Sequence, residues 1–212
     1  MNYPFTNAVL DFFINRTVDA EQFSFMLGKQ LAGYPRQASD VAFNLLDSHD
    51  TARLLTQAKG DKRLMKLAAL FQFTYSGTPC IYYGDEIGMD GGHDPGCRKC
   101  MEWDENKQDK DLFTFYQKLI RLRKGHTALR TGFFQLLTAE HNGGKLAYLR
   151  EDDHERIIVL VNNDKVSQSI TVPAEEREWT HLWTGETVRT KKGELSVNLP
   201  AYGFAILKAV QD

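Results

Sequence analysis

Val41 to Arg53 reads VAFNLLDSHDTAR. The apolar run VAFNLL stops abruptly, and Asp47, Ser48, His49, Asp50, Thr51 and Arg53 then put six polar or charged groups close to one another. A short apolar run with polar residues on either side predicts a parallel strand buried on both faces. About thirty residues later the arrangement recurs: Ser76, Gly77, Thr78 and Pro79 break a helical pattern, CIYY at Cys80 to Tyr83 predicts a second buried strand, and Gly84, Asp85 and Glu86 follow it.

Between these runs, Leu64, Leu67, Ala68, Phe71 and Tyr75 recur at helical spacing and predict a helix from about Asp61. Upstream, Val9, Phe12 and Phe13 predict a short helix. Asp19 with Gln22 reads as a capping-box variant opening another, with Phe23, Met26, Leu27 and Leu31 inward and Gly33, Tyr34 and Pro35 at its end. Downstream, Gly84 to about Asp109 is too long for a mere connector. A last helix from Asp109 or Asp111 buries Leu112, Phe115, Tyr116, Leu119 and Leu122 and stops at Gly125, a residue suited to a left-handed helix end. Strand, helix, strand, helix in this rhythm predicts parallel βα units, although an α+β domain with unrelated strands fits the same periodicity.

Near residue 130 the period drops to two. LAYLR at Leu146 to Arg150, IIVLVN at Ile157 to Asn162, SITV at Ser169 to Val172, LSVNL at Leu195 to Leu199 and FAIL at Phe204 to Leu207 are separated by turn residues, the pattern of an antiparallel sandwich or barrel. Two domains are expected, 1–130 and 131–212.

Composition narrows the function classes. With 212 residues, 42% hydrophobic and 25% charged, the chain has an ordinary globular balance. A formal net charge of −2 supplies no excess positive field for a polyanion, so no nucleic-acid partner is expected. Charged residues interrupt every apolar run well short of the roughly 20 residues a spanning helix needs, so no membrane partner is expected either. MNYPFTNAVLDFF lacks a basic leader, an apolar stretch and a cleavage site, and the odd set Cys80, Cys97 and Cys100 fits a reducing compartment; together they suggest a cytoplasmic location. Cys97 and Cys100 form a C-x-x-C pair with His93 nearby, an incomplete ligand set for zinc, and two loop thiols is the favoured reading. No metal and no cofactor is expected.

In parallel α/β architectures ligands meet the loops after the carboxyl ends of strands. Both strand-end loops here carry suitable chemistry. His49 beside Asp50 can hydrogen-bond sugar hydroxyls. Asp50 fits a helix cap as well, and Arg53 fits as its ion-pair partner.

Taken together, FNLLDSHDTARLLT, GTPCIYYGDEIGM and DPGCRKCMEWD, in that order and spacing, resemble the carboxy-terminal half of the α-amylase family of glycoside hydrolases. The resemblance covers about residues 2–125, and the β-rich remainder matches the family's usual C-terminal domain. Ser48 where the family more often has Asn, together with the DPGCRKCMEWD loop, is similar to the neopullulanase, cyclomaltodextrinase and maltogenic amylase branch; oligo-1,6-glucosidase-like members also fit.

The resemblance implies the C-terminal part of a (β/α)8 barrel, from the end of its sixth strand to its eighth helix, followed by an antiparallel β-sandwich. It implies a retaining hydrolase acting on starch, pullulan or cyclomaltodextrin. Asp50 would be the family's third acidic residue, gripping and distorting the sugar at the cleavage point; His49 would bond the same ring; Asp94 and Arg98 would hold a more distant glucose. Tyr83 is expected to pack at the strand end, and Asp85 and Glu86 to serve the loop itself. Retaining hydrolysis also needs a nucleophilic carboxylate and an acid/base carboxyl, and no G-x-R-x-D string or second strand-end Glu of the expected kind occurs. MNYPF resembles the tail of strand six, so Met1 reads as internal to a longer parent, which removes the weight of the missing leader. The isolated chain is therefore expected to be inactive on glucans, and its cut sheet edge to drive self-association or pairing with the missing barrel half. The alternative is a non-catalytic carbohydrate-binding or transporter-associated relative with the same fold.

Overall fold

The computed structural model describes residues 1–210. Helix α1 (Tyr3–Val9) runs into a π-helical turn at Leu10–Asn15, so Val9, Phe12 and Phe13 do lie on one helical stretch. Helix α2 (Ala20–Gly33) opens on the anticipated capping box: Asp19 accepts from the Gln22 N–H at 2.8 Å, and the Gln22 side chain accepts from the Asp19 N–H at 3.0 Å. Helices α3 (Arg36–Asp40) and α4 (Leu54–Gln57) are short and flank the first strand. Helices α5 (Lys62–Thr74) and α6 (Lys110–Gly125) start on Asp61 and Asp109, each accepting backbone N–H bonds, and α7 (Thr127–Thr131) ends the helical region.

The two strands of this region are β1 (Phe43–Leu45) and β2 (Thr78–Cys80), paired in parallel with Asn44 opposite Pro79. Three expectations need correction. The second strand lies at Thr78–Cys80 rather than Cys80 to Tyr83, because Pro79 is tolerated on an edge strand and the Arg53 site draws Tyr82 and Tyr83 out of the ladder. Only the second half of VAFNLL is buried on both faces: the consecutive residues Asn44, Leu45 and Leu46 are buried, while Val41 and Phe43 at its start are exposed. Gly125 has no left-handed conformation; α6 stops because His126 is extended and at once begins α7.

Side chains and one backbone donor satisfy much of the backbone that the short ladder leaves unpaired. The Asn2 N–H donates to the Phe43 carbonyl at 2.8 Å and the Thr6 hydroxyl to the Leu45 carbonyl at 2.7 Å. The Gln72 amide donates to the carbonyls of Asn44 and Cys80, tying β1 to β2 from α5, and Asn44 in turn donates to Ser76. Gly77 sits at φ +99°, where a Cβ would stand 2.7 Å from the Ala42 carbonyl oxygen, so a glycine is required for β2 to enter this pairing.

Eight strands follow: β3 (Phe133–Ala139), β4 (Lys145–Glu151), β5 (Arg156–Asn162), β6 (Gln168–Pro173), β7 (Glu178–His181), β8 (Thr187–Arg189), β9 (Glu194–Leu199) and β10 (Phe204–Ala209). They form an antiparallel six-stranded sheet in the order β3-β4-β5-β10-β7-β8 and a two-stranded sheet β6-β9. The expected sandwich therefore has one broad layer and one narrow one. The pleat explains why β5 reads as an unbroken apolar run: Ile157, Val159 and Val161 face the helices, while Ile158 and Leu160 face the small sheet with Ile170, Val172, Leu195 and Leu199.

The core between helices and sheet is aromatic. Phe5, Phe12, Phe13, Phe23, Phe71, Tyr75 and Tyr148 meet with centroid separations of 4.7 to 5.9 Å, and full burial of each phenylalanine contributes about 1.5–3 kcal/mol. Two buried arginines finish the C-terminal end of α5, where free carbonyls and the negative end of the helix dipole attract cations. Arg123 of α6 donates to the carbonyls of Phe73 (2.7 Å), Tyr75 (3.0 Å) and Gly77; Arg150 of β4 donates to those of Thr74 (2.6 Å) and Gly132 (2.9 Å). Burial pushes both guanidinium groups down to about 10, still charged at neutral pH. Arg150 thus joins the large sheet to the helix that carries β2.

Candidate active site

The loops that follow β1 and β2 lie against each other. Ser48 folds the first: its hydroxyl accepts from the Asp50 N–H at 3.1 Å, its own N–H donates to the Thr51 hydroxyl at 2.9 Å, and Tyr3 from α1 comes within 3.4 Å. Such side-chain-closed turns are what Ser and Thr supply in place of ladder bonds. The result sets His49 and Asp50 side by side, half-exposed, with Nε2 of the imidazole 3.3 Å from the carboxylate.

The second loop doubles back. Gly91 lies so near Gly96 that a Cβ would fall 2.4 Å from the Gly96 carbonyl oxygen. The turn brings Arg98 onto the first loop: its Nε donates to the His49 carbonyl at 3.0 Å, its Nη2 lies 3.3 Å from Asp50, and its Nε lies 2.7 Å from Asp94. All four side chains singled out from the sequence, His49, Asp50, Asp94 and Arg98, therefore gather in one exposed cluster. Arg98 is the bridge between the two carboxylates. The Cys97 thiol also donates to the His49 carbonyl, at 3.2 Å, so adjacent residues of one loop grip a single carbonyl of the other.

Beneath the cluster lie groups that decide between the two readings of Asp50. Asp50 does not cap the following helix; Asp47 does, accepting from the Leu54 N–H at 2.7 Å from a buried position. Arg53 does not pair with Asp50. It is fully buried and turns the other way, 3.3 Å from Asp85, with its guanidinium 4.5 and 4.6 Å from the rings of Tyr82 and Tyr83. The signal that could have separated the two aspartates is position: the residue directly after an apolar strand is the one whose side chain starts inside.

Asp47 and Asp85 are both buried, and burial raises both carboxyls above the ordinary range. Asp85 rises further, because it also faces the Asp47 charge, against the opposing pull of Arg53. Tyr83 lies beyond the end of β2 and is exposed rather than packed there, donating its hydroxyl to the Lys99 carbonyl at 2.6 Å, while Glu86 serves its own loop by accepting from the Gly84 N–H at 2.8 Å. Cys80, Cys97 and Cys100 are all free thiols, and among the described residues no group of three or more His, Cys, Asp or Glu side chains is placed to hold a metal ion. No helix among the described residues is long and apolar enough to cross a membrane.

Comparison with known proteins places this arrangement. Residues 1–109 match the family model described as alpha amylase, catalytic domain, and residues 134–206 match that of the maltogenic amylase C-terminal domain. A cyclomaltodextrinase from a Bacillus species is 76% identical over 80% of this chain and 30% of its own length. Neopullulanase 2 from Thermoactinomyces vulgaris is 41% identical over 98% of this chain and 36% of its own length. Among solved structures, a cyclomaltodextrinase superposes with a TM-score of 0.93 at 66% identity, covering 99% of this chain and 36% of that one. The chain spans about a third of the length of the curated relatives it matches. Strand-end loops, sheet order and both family matches agree: the chain belongs to the α-amylase family, in its cyclomaltodextrinase, neopullulanase and maltogenic amylase branch.

Proposed function

We propose that this chain carries part of the glucan site of a retaining α-glucan hydrolase, of the starch, pullulan or cyclomaltodextrin type. Asp50 is the carboxylate that grips the sugar ring at the scissile bond as positive charge develops on it, and His49 bonds the same ring. Asp94 and Arg98 hold the neighbouring glucose. The observation that carries this reading is the Arg98 bridge, with Asp50 and Asp94 on either side of one guanidinium at 3.3 and 2.7 Å. A charged fork between two carboxylates, all half-exposed, presents the planar donors and acceptors that vicinal hydroxyls bind.

Hydrolysis needs two further carboxyls that the sequence lacks in recognisable form, so the 212-residue chain binds glucan but does not cleave it. The chain works as two modules, 1–130 and 131–212, the second steadying the first through Arg150. The edge of β2 away from β1 calls for a strand, supplied by the rest of a barrel or by a second copy. The free thiols suit a cytoplasmic setting.

The test is calorimetric titration of the purified chain with maltohexaose and β-cyclomaltodextrin, alongside Asp50→Asn and a reducing-sugar assay. Binding at millimolar concentration, weakened about tenfold by the substitution, with no sugar released, is expected. Affinity indifferent to Asp50→Asn removes the proposed role, and hydrolysis at rates ordinary for enzymes, of order 1–1000 s⁻¹, refutes the inactivity.

A further inference from the structure

We propose that Arg53 is a positioning residue that sets the spacing of the two site loops, acting on Asp50 and Arg98 without touching sugar; this rests on the glucan-site reading above. Its backbone N–H donates to the Gly91 carbonyl at 2.9 Å. Its Nε donates to the Cys97 carbonyl at 3.1 Å and its Nη1 to the Tyr83 carbonyl at 2.5 Å, with Asp85 3.3 Å from the same nitrogen. One residue of the first loop therefore fastens the beginning, the middle and the end of the second.

The end matters most. Arg53 holds the Cys97 carbonyl, the Cys97 thiol and Arg98 Nε both reach the His49 carbonyl, and Arg98 then meets Asp50. Fixing Cys97 thus fixes where Arg98 leaves the loop. Because β1 and β2 are each three residues long, the ladder cannot impose that distance itself. A guanidinium suits the task for a physical reason: its donors are rigid and coplanar, and its flat faces stack on Tyr82 and Tyr83, whereas an ammonium has no such face and one donor centre. The side chain is fully buried, which removes competition from water for each of these carbonyls.

The experiment uses the whole chain and a readout that needs no sugar: the side-chain ¹H–¹⁵N signal of Arg98 Nε and its rate of hydrogen exchange. In Arg53→Lys, the charge is retained and the fork is lost; exchange at Arg98 Nε is expected to rise about tenfold, the equivalent of one charge-assisted hydrogen bond, and its signal to move toward that of a free arginine. Tyr82→Leu removes one stacked ring without breaking a hydrogen bond to the loops and gives a rise of about threefold; it serves as the test should Arg53→Lys fail to fold. Leu199→Ala, in the core between the two sheets, lowers the melting temperature and leaves the Arg98 signal where it was. An Arg98 signal unmoved in folded Arg53→Lys or in Tyr82→Leu, or moved as far by Leu199→Ala, overturns the proposal. Absence of sugar binding by the unaltered chain defeats the glucan-site reading alone, since the Arg98 measurement is independent of it.

Discussion

β5 and β1 differ in what holds their backbones. β5 is paired along both edges, with β4 from Arg156 to Asn162 and with β10 from Ile157 to Val161, and both of its faces are covered. β1 has three ladder residues on one edge, and on the other a backbone donor from Asn2 and a hydroxyl from Thr6. The sheet region positions its atoms by repetition, many equivalent bonds in register. The site region positions them by individual side chains, Gln72, Asp47, Arg53 and Arg98, each bonded to named carbonyls or amides of another segment. Loss of one residue should therefore be felt as volume in the first region and as geometry in the second.

Trp179→Ala gives the largest effect. This side chain is fully buried between the two sheets and its indole N–H reaches Glu176 and Thr190, so truncation is expected to cost about 3–5 kcal/mol in denaturant unfolding. A cost below about 0.5 kcal/mol, the level of an ordinary surface change, would break the comparison, since the sheet would then not depend on its core. Arg150→Met comes next at about 2 kcal/mol, because the carbonyls of Thr74 and Gly132 lose their donor while the volume is kept. Faster amide exchange at the end of α5 should accompany it, and protection unchanged there would show that the sheet does not brace the site region.

The smallest effect is a slope. Asp85 has its carboxyl raised by burial and by Asp47, so the folded chain holds that proton to a higher pH than the unfolded chain, which loses it near the ordinary value of about 3.9. Stability owed to that proton is complete below the unfolded value and falls as pH rises toward the folded one. Asn mimics the protonated acid, so Asp85→Asn should gain on the unaltered chain steadily from about pH 4 upward. Melting temperatures at a series of pH values measure it, and a parallel pair of curves would mean that Asp85 is ionised when buried.

Much of this was legible in the residues. Asp19, Asp61 and Asp109 announced three helix starts, because a cap is a bond between neighbours in sequence. The five quoted β runs fall on β4, β5, β6, β9 and β10. β3, β7 and β8 escaped notice for reasons visible in the fold. β3 is an edge strand whose alternation is upset by a bulge between Leu136 and Thr138, and β7 and β8 have four and three residues, too few to show a period. At the site, His49 and Asp50 could be picked out as a pair, whereas Asp47 and Arg53 could not be told from them by residue type.

What the sequence by itself determined is local or nearly so. The switch from helical period to period two, the strand ends at which polar residues crowd, and the motif order that marks the family all depend on spacing along the chain. Only the tertiary structure decided which charges meet. Arg53 had Asp50 three residues away and took Asp85, because its side chain starts on the buried side of the loop and Asp50 on the exposed one. Arg98 reached back to Asp50 once the turn at Gly91 folded the second loop onto the first. Arg123 and Arg150 look in sequence like ordinary surface cations, and they are buried because the end of α5 presents carbonyls that nothing else among the described residues is seen to satisfy. An ion pair depends on distance and on the water excluded around it, and neither quantity exists until the chain has folded.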